Sequence, residues 1–317
     1  MRNRLLPFLS LPVLMLPAVA MAEVPSVAVD IPPVHSLVSR VMGELGSPDL
    51  VIQPGASPHG YSMRPSEARS LTDADVMIFV SDELTPWLAK ARETLAADAD
   101  ADAVELMEVP GTLHLRYREG ATFEAHHDEH DDHDSHDDHH EHAHAGMNPH
   151  GWLDPMNARL WLAEIAESLA AQDPEHAATY RRNAQAGQRE LDTMTESLSA
   201  RLAQVQGTRY IVFHDAYQYF EHRFDVPASG AISLGDASTP SPARVKDIQT
   251  RVARDNIQCV FHEPQYNPAL IESVFEGTGV KTSIVFEPLG VGLPLGETLY
   301  PQLIKRLGQG ILRCADA

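Results

Sequence analysis

Short β-branched apolar runs alternate along this chain with longer stretches whose apolar residues recur every three to four positions. In the first half, runs at residues 24–31, 50–52, 76–80 and 104–109 predict strands. Helical periodicity fills about 34–45, 65–71 and 86–97. The same rhythm returns at 209–213, 226–229, 259–261 and 282–286. Such alternation predicts an α/β protein of two lobes, each a mainly parallel sheet flanked by helices. Between the halves, Asp154-Pro155 opens a helix with an acidic N-cap and proline at the first helical position. Asp173-Pro174 opens a second in the same way. It runs toward Gly207 with Leu191, Met194, Leu198 and Leu202 on one face. About 30 helical residues span roughly 45 Å, enough for a rigid strut joining two lobes. A helix packed within the second lobe is the alternative.

The amino terminus changes the expected compartment. Arg2 and Arg4 precede an apolar run interrupted by Pro7, Pro12 and Pro17, and Ala20-Met21-Ala22 supplies small residues. Residues 1–22 therefore predict a cleaved secretory signal, too short for a membrane span of roughly 20 residues. No cysteine stands at the cleavage site to carry a lipid. The expected location is the periplasm. The remaining chain of about 295 residues suits two domains: an N-terminal lobe at 23–172, a connecting helix at 173–206 and a C-terminal lobe at 207–317. The formal net charge of -21 argues against nucleic acid and anionic membranes and favours cations. A monomer is expected. The two cysteines, Cys259 and Cys314, predict a disulfide in an oxidising space. Closing that loop contributes about 4 kcal/mol in the chain-entropy model. Neither lies in a CxxC pair, which argues against redox catalysis.

Histidine carries the candidate chemistry. Of 17 histidines, nine sit between 126 and 144: His126, His127, His130, His133, His136, His139, His140, His142 and His144. They are interleaved with eight acidic residues. No core can be built from such a run, so 124–146 predicts a disordered solvated loop. Neutral imidazole ligates zinc, copper and nickel, which makes this a secondary metal-collecting segment rather than one fixed site. Three further histidines stand at turns. His59 follows the second predicted strand, His150 precedes a helix, and His214 follows the run at 210–213. Ligands in open α/β sheets bind beyond the carboxyl ends of the strands, so a shared site is expected.

The words around these histidines, PGASPHGYSMRPSE, NPHGWLDP, FHDAYQYFE, FHEPQYNP and FEPLG, occur in an order that resembles the metal-binding solute-binding proteins of ABC importers. The chain is most similar to the periplasmic zinc-binding ZnuA family, across essentially its whole mature length. The resemblance implies two lobes joined by a long helix, with zinc in the cleft between them on His59, His150 and His214. It also implies delivery to a membrane permease driven by a cytoplasmic ATPase. A fourth ligand is open. Some members place Glu before the first histidine, where this chain has Pro58. Others place Asp in a DPLG turn, where this chain has Glu287. Glu287 could ligate, act through water or stay outside. His35 could face the cleft, whereas His262 and Glu263 are expected to line it.

Three imidazoles and a carboxylate suit four-coordinate zinc and disfavour manganese, which prefers oxygen. Copper is not excluded on intrinsic affinity. Two other classes remain open: a zinc-buffering or adhesive protein without a transport role, and a periplasmic zinc hydrolase. Against the hydrolase, the chain has no HExxH, no nucleophile elbow and no carboxylates paired as acid and base. The reading is therefore a non-enzyme that carries Zn²⁺ as its cargo.

Overall fold

A computed structural model of the chain describes residues 24–95, 102–118, 146–233, 241–264 and 282–316, with Phe275, Thr278 and Val280 between the last two stretches. The expected signal at 1–22 and the nine histidines of the acidic run lie outside the described residues.

The described strands form two parallel sheets of four. The first contains β1 (Val27–Val29), β2 (Asp49–Leu50), β3 (Val76–Phe79) and β4 (Asp102–Glu105), in the order β2-β1-β3-β4. The second contains β5 (Tyr210–His214), β6 (Gly230–Ser233), β7 (Cys259–His262) and β8 (Thr282–Val285), in the order β6-β5-β7-β8. The two orders are equivalent. In each sheet the chain steps one way from its first strand and then returns to the other side, so β1/β3 and β5/β7 are the switch points where ligands bind in such sheets. β1, β3 and β5 are buried along their whole length, because helices cover both faces of a parallel sheet.

Eight helices surround the sheets among the described residues: α1 (Pro32–Met42), α2 (Pro65–Thr72), α3 (Pro86–Leu95), α4 (Pro155–Gln172), α5 (Ala177–Leu202), α6 (Gln218–Phe224), α7 (Pro242–Arg254) and α8 (Leu299–Ala315). Proline begins α1, α2, α4 and α7, where its missing N–H costs nothing. α4 and α5 carry the chain from the first sheet to the second and pack on one another. α5 also packs on α1 and α8.

Three boundaries differ from the sequence expectation. The strand expected at 104–109 is β4, at Asp102–Glu105, and residues 106–108 turn into a 3-10 helix. The strand expected at 226–229 is β6, at Gly230–Ser233. Pro227 cannot donate to a ladder, and residues 226–229 instead return from α6, with Val226 N–H on the Glu221 carbonyl. Asp173 does not cap α5. Its backbone N–H closes α4 on Leu169, and its buried carboxylate accepts from the His176 N–H and the Tyr180 hydroxyl. That leaves α5 with 26 residues, or about 39 Å.

α8 ties the end of the described chain to both lobes. Tyr300 N–H donates to Ser36 of α1 at 2.9 Å, and its hydroxyl donates to the Trp152 carbonyl at 2.7 Å. At its other end the Cys259–Cys314 disulfide fastens α8 to β7, with both cysteines fully buried. No helix among the described residues is long and apolar enough to cross a membrane.

Candidate metal centre

The carboxyl ends of the strands bring the three singled-out histidines together. His59 lies on the loop between β2 and α2 and is partly exposed, while His150 and His214 are each 3% exposed. The Nε2 atoms of His59 and His150 are 3.4 Å apart. Two nitrogens on one tetrahedral zinc, each at 2.0–2.1 Å, stand about 3.3–3.4 Å from one another. The His59–His150 and His150–His214 ring centroids are 5.4 and 5.5 Å apart. That is close to the roughly 5 Å that ligation through Nε2 requires. The set is not closed: among the described residues, no group of three or more His, Cys, Asp or Glu side chains already stands as a complete metal-holding cluster.

Two of the rings have their other nitrogen engaged. His150 Nδ1 is 2.7 Å from Asn148 Oδ1, which also accepts from the His150 backbone N–H at 3.0 Å. The Asn148 amide is oriented by its own donation to Gln218 Oε1 at 2.9 Å. The oxygen therefore faces His150, Nδ1 carries the hydrogen, and the Nε2 lone pair is available. His214 Nδ1 meets Glu263 Oε1 at 2.5 Å. Burial, with the neighbouring His59 and His214, holds the His150 ring well below the usual imidazole range. It is neutral at pH 7, as a ligand must be.

Glu287 occupies the turn after β8. It is 8% exposed, and its two oxygens accept from the backbone N–H groups of Leu289 at 3.0 Å and Val291 at 2.7 Å. Its carboxyl is raised to about 7, chiefly by burial and further by the nearby Glu263, against the lowering effect of the Val291, Leu289 and Gly290 N–H groups. The turn needs Gly290, whose φ is +83° and whose missing Cβ would stand 2.9 Å from Leu299. His35, which was open as a cleft residue, is buried on α1. Its ring meets Ser39 Oγ at 3.3 Å and the Pro48 backbone, so α1 and the approach to β2 account for it.

The segment carrying His150 is fastened to the second lobe. Tyr219 donates to the Asn148 carbonyl at 2.8 Å, Arg223 pairs with both oxygens of Asp154 at 2.7 Å, and Trp152 donates to the Pro288 carbonyl at 2.8 Å. Sequence reasoning missed these fasteners. Asn148, two residues before the histidine in NPHG, was the legible hint, because Asn accepts readily from a backbone N–H two residues on.

The family model described as zinc-uptake complex component A, periplasmic, matches residues 27–314. A high-affinity zinc uptake system protein ZnuA from Paracoccus denitrificans is 43% identical over 308 residues, covering 94% of each chain. The chain belongs to the ZnuA family. Among solved structures, a crystal structure of ZnuA matches with a TM-score of 0.73 at 22% identity, over 92% of this chain and 98% of that one. FpvC from Pseudomonas aeruginosa, solved in complex with Mn²⁺, matches with a TM-score of 0.76 at 19% identity, over 92% and 99%. The two-lobed fold of the ZnuA family thus also occurs in a protein solved with manganese. The fold by itself therefore does not set the metal.

Proposed function

We propose that the chain captures Zn²⁺ in the periplasm on His59, His150 and His214 and delivers it to the membrane permease of an ABC importer. The observation that carries this reading is the 3.4 Å separation of the His59 and His150 Nε2 atoms, one edge of a zinc tetrahedron. His150 and His214 line the same space and turn their Nδ1 atoms to hydrogen-bond partners. Three imidazoles favour zinc over a metal that prefers oxygen. Family membership and the zinc-uptake name of a relative at 43% identity support the same cargo and the same importer. Glu287, near enough to Glu263 to feel its charge, is the carboxylate we assign to the fourth position. The acidic His-rich run at 126–144 acts as a weak collector that raises zinc concentration near the cleft. The protein is a monomer without catalysis of its own, and residues 1–22 are its secretory signal.

The test is growth. A strain lacking the gene should fail in zinc-chelated medium and recover with added zinc or with the wild-type gene. The gene carrying His59→Ala, His150→Ala and His214→Ala together should not restore growth. Rescue by that triple variant would contradict the assignment.

A further inference from the structure

The parallel ladder of the second sheet pairs Tyr210 with Cys259 and Ile211 with Val260. Continued residue by residue, that register sets His214, the last residue of β5, opposite Glu263, the residue immediately after β7. Both lie at the carboxyl edge of the sheet, at its switch point. The side chains meet there: Glu263 Oε1 is 2.5 Å from His214 Nδ1, with side-chain exposures of 1% and 4%. Charged carboxylates are almost never so fully buried unless they are paired. Glu263 thus has a specific task at the edge of the cleft, and sequence reading alone made it no more than lining.

We propose that Glu263 is the positioning residue of the zinc site: it holds the Nδ1 hydrogen of His214, so that Nε2 alone is presented to the ion, and places a fixed negative charge behind that ligand. The inference rests on the zinc reading above. A histidine ligand commonly donates its second N–H to a carboxylate or carbonyl, which fixes the tautomer and makes the other nitrogen a stronger donor. Here the two buried histidines use different partners. His150 leans on the neutral amide oxygen of Asn148 at 2.7 Å, whereas His214 leans on a carboxylate. Three neutral imidazoles leave the double charge of zinc to be offset by carboxylates, Glu287 in the fourth position and Glu263 behind His214. Glu263 compensates half of that charge from one ring away, in surroundings where an uncompensated ion is costly. Its backbone position is secured as well. The preceding His262 carbonyl accepts from the Phe286 N–H at 2.8 Å, and Cys259 at the start of the same strand is fixed to α8 by the disulfide.

Glu263→Gln separates the two parts of the role. The amide oxygen still accepts from Nδ1 but carries no charge, which converts the His214 arrangement into the one His150 already has. Glu263→Ala removes both parts. Zinc affinity is measured by competition with a chelator of known constant on the full mature chain and on His214→Ala, Glu263→Gln and Glu263→Ala. The tautomer of His214 is read from long-range ¹⁵N spectra of the metal-free protein, and the coordination sphere from the visible spectrum of the Co²⁺ form. Circular dichroism verifies folding. His214→Ala should lose the tight site. Glu263→Ala should weaken binding roughly 10–100-fold, lose the single Nδ1–H signature and alter the Co²⁺ spectrum. Glu263→Gln should keep the Nδ1–H tautomer and stay within about tenfold of wild type. Wild-type binding by Glu263→Ala while His214→Ala loses it overturns the positioning role and leaves the zinc reading standing. Glu263→Gln as weak as Glu263→Ala, or an Nε2–H tautomer in the wild type, overturns it too. Tight binding retained by His214→Ala overturns the zinc reading itself.

Discussion

Arg118 is the last described residue before the gap that contains the His-rich run, and its guanidinium is buried against the second lobe. Nε donates to both oxygens of Asp215 at 3.0 Å, Nη1 donates to Glu221 at 2.6 Å, and Nη2 bonds to both carboxylates. Side-chain exposure is 17% for Arg118, 1% for Asp215 and 3% for Glu221. Burial by itself lowers the guanidinium pKa, but the Glu221 and Asp215 charges more than reverse this. Arg118→Ala leaves two carboxylates buried without their cation. Removing one partner of a buried ion pair costs about 3–5 kcal/mol, because the remaining charge is uncompensated. At roughly 2–4 °C per kcal/mol for chains of 150–250 residues, the melting temperature should fall on the order of 10 °C. Scanning calorimetry and circular dichroism at pH 7.5 measure this. The variant Arg118→Met with Asp215→Asn and Glu221→Gln removes the stranded charges and should recover more than half of the loss. A loss below about 1 kcal/mol, the value of an exposed pair, would refute the reasoning.

Three further outcomes are expected. Asp30 is fully buried, accepts from the Ile31 and Val80 N–H groups, and is pushed by burial from 3.8 up to about 7. The folded state therefore binds this proton more tightly than the unfolded one. The contribution is complete below about pH 4 and is lost as pH rises through about 7, on the order of 4 kcal/mol. The gap in urea midpoint between pH 4.5 and 8 should shrink in Asp30→Asn, and an unchanged gap would contradict the assignment. Replacing Cys259 and Cys314 by Ser should cost up to about 4 kcal/mol, measured by urea unfolding; no loss would mean that the bridge does not constrain the unfolded chain. Deleting residues 126–144 should lower zinc stoichiometry from several ions to about one and leave the tightest constant unchanged, as measured by chelator competition. A tenfold weaker constant would make that run part of the primary site.

Parts of this architecture are legible in the sequence for physical reasons. β1, β3 and β5 are buried on both faces, so they read as plain apolar runs. The Pro-initiated helices α1 and α4 carry their own punctuation. Tertiary partners blur the rest. Asp173 looks like the cap of α5 but serves the turn before it, because His176 and Tyr180 supply its donors. The run at 226–229 has strand composition, yet Pro227 lies in it and the ladder begins at Gly230. At the candidate metal centre, imidazole is conspicuous, so His59, His150 and His214 could be singled out together. Glu263 and Asn148 could not be assigned their tasks, since both depend on where a second side chain points. Arg118, Trp152 and Arg223 bond across segments more than 60 residues apart, and no local pattern encodes that.

Calorimetric titration of Zn²⁺ into the metal-free protein, alongside the His59→Ala, His150→Ala, His214→Ala triple variant, tests the central claim most directly. The account predicts one tight ion per wild-type chain followed by weaker sites. In the triple variant the weak sites remain and the tight one disappears, because zinc is rarely held strongly without at least three protein ligands. Tight one-to-one binding that survives in the folded triple variant would contradict it.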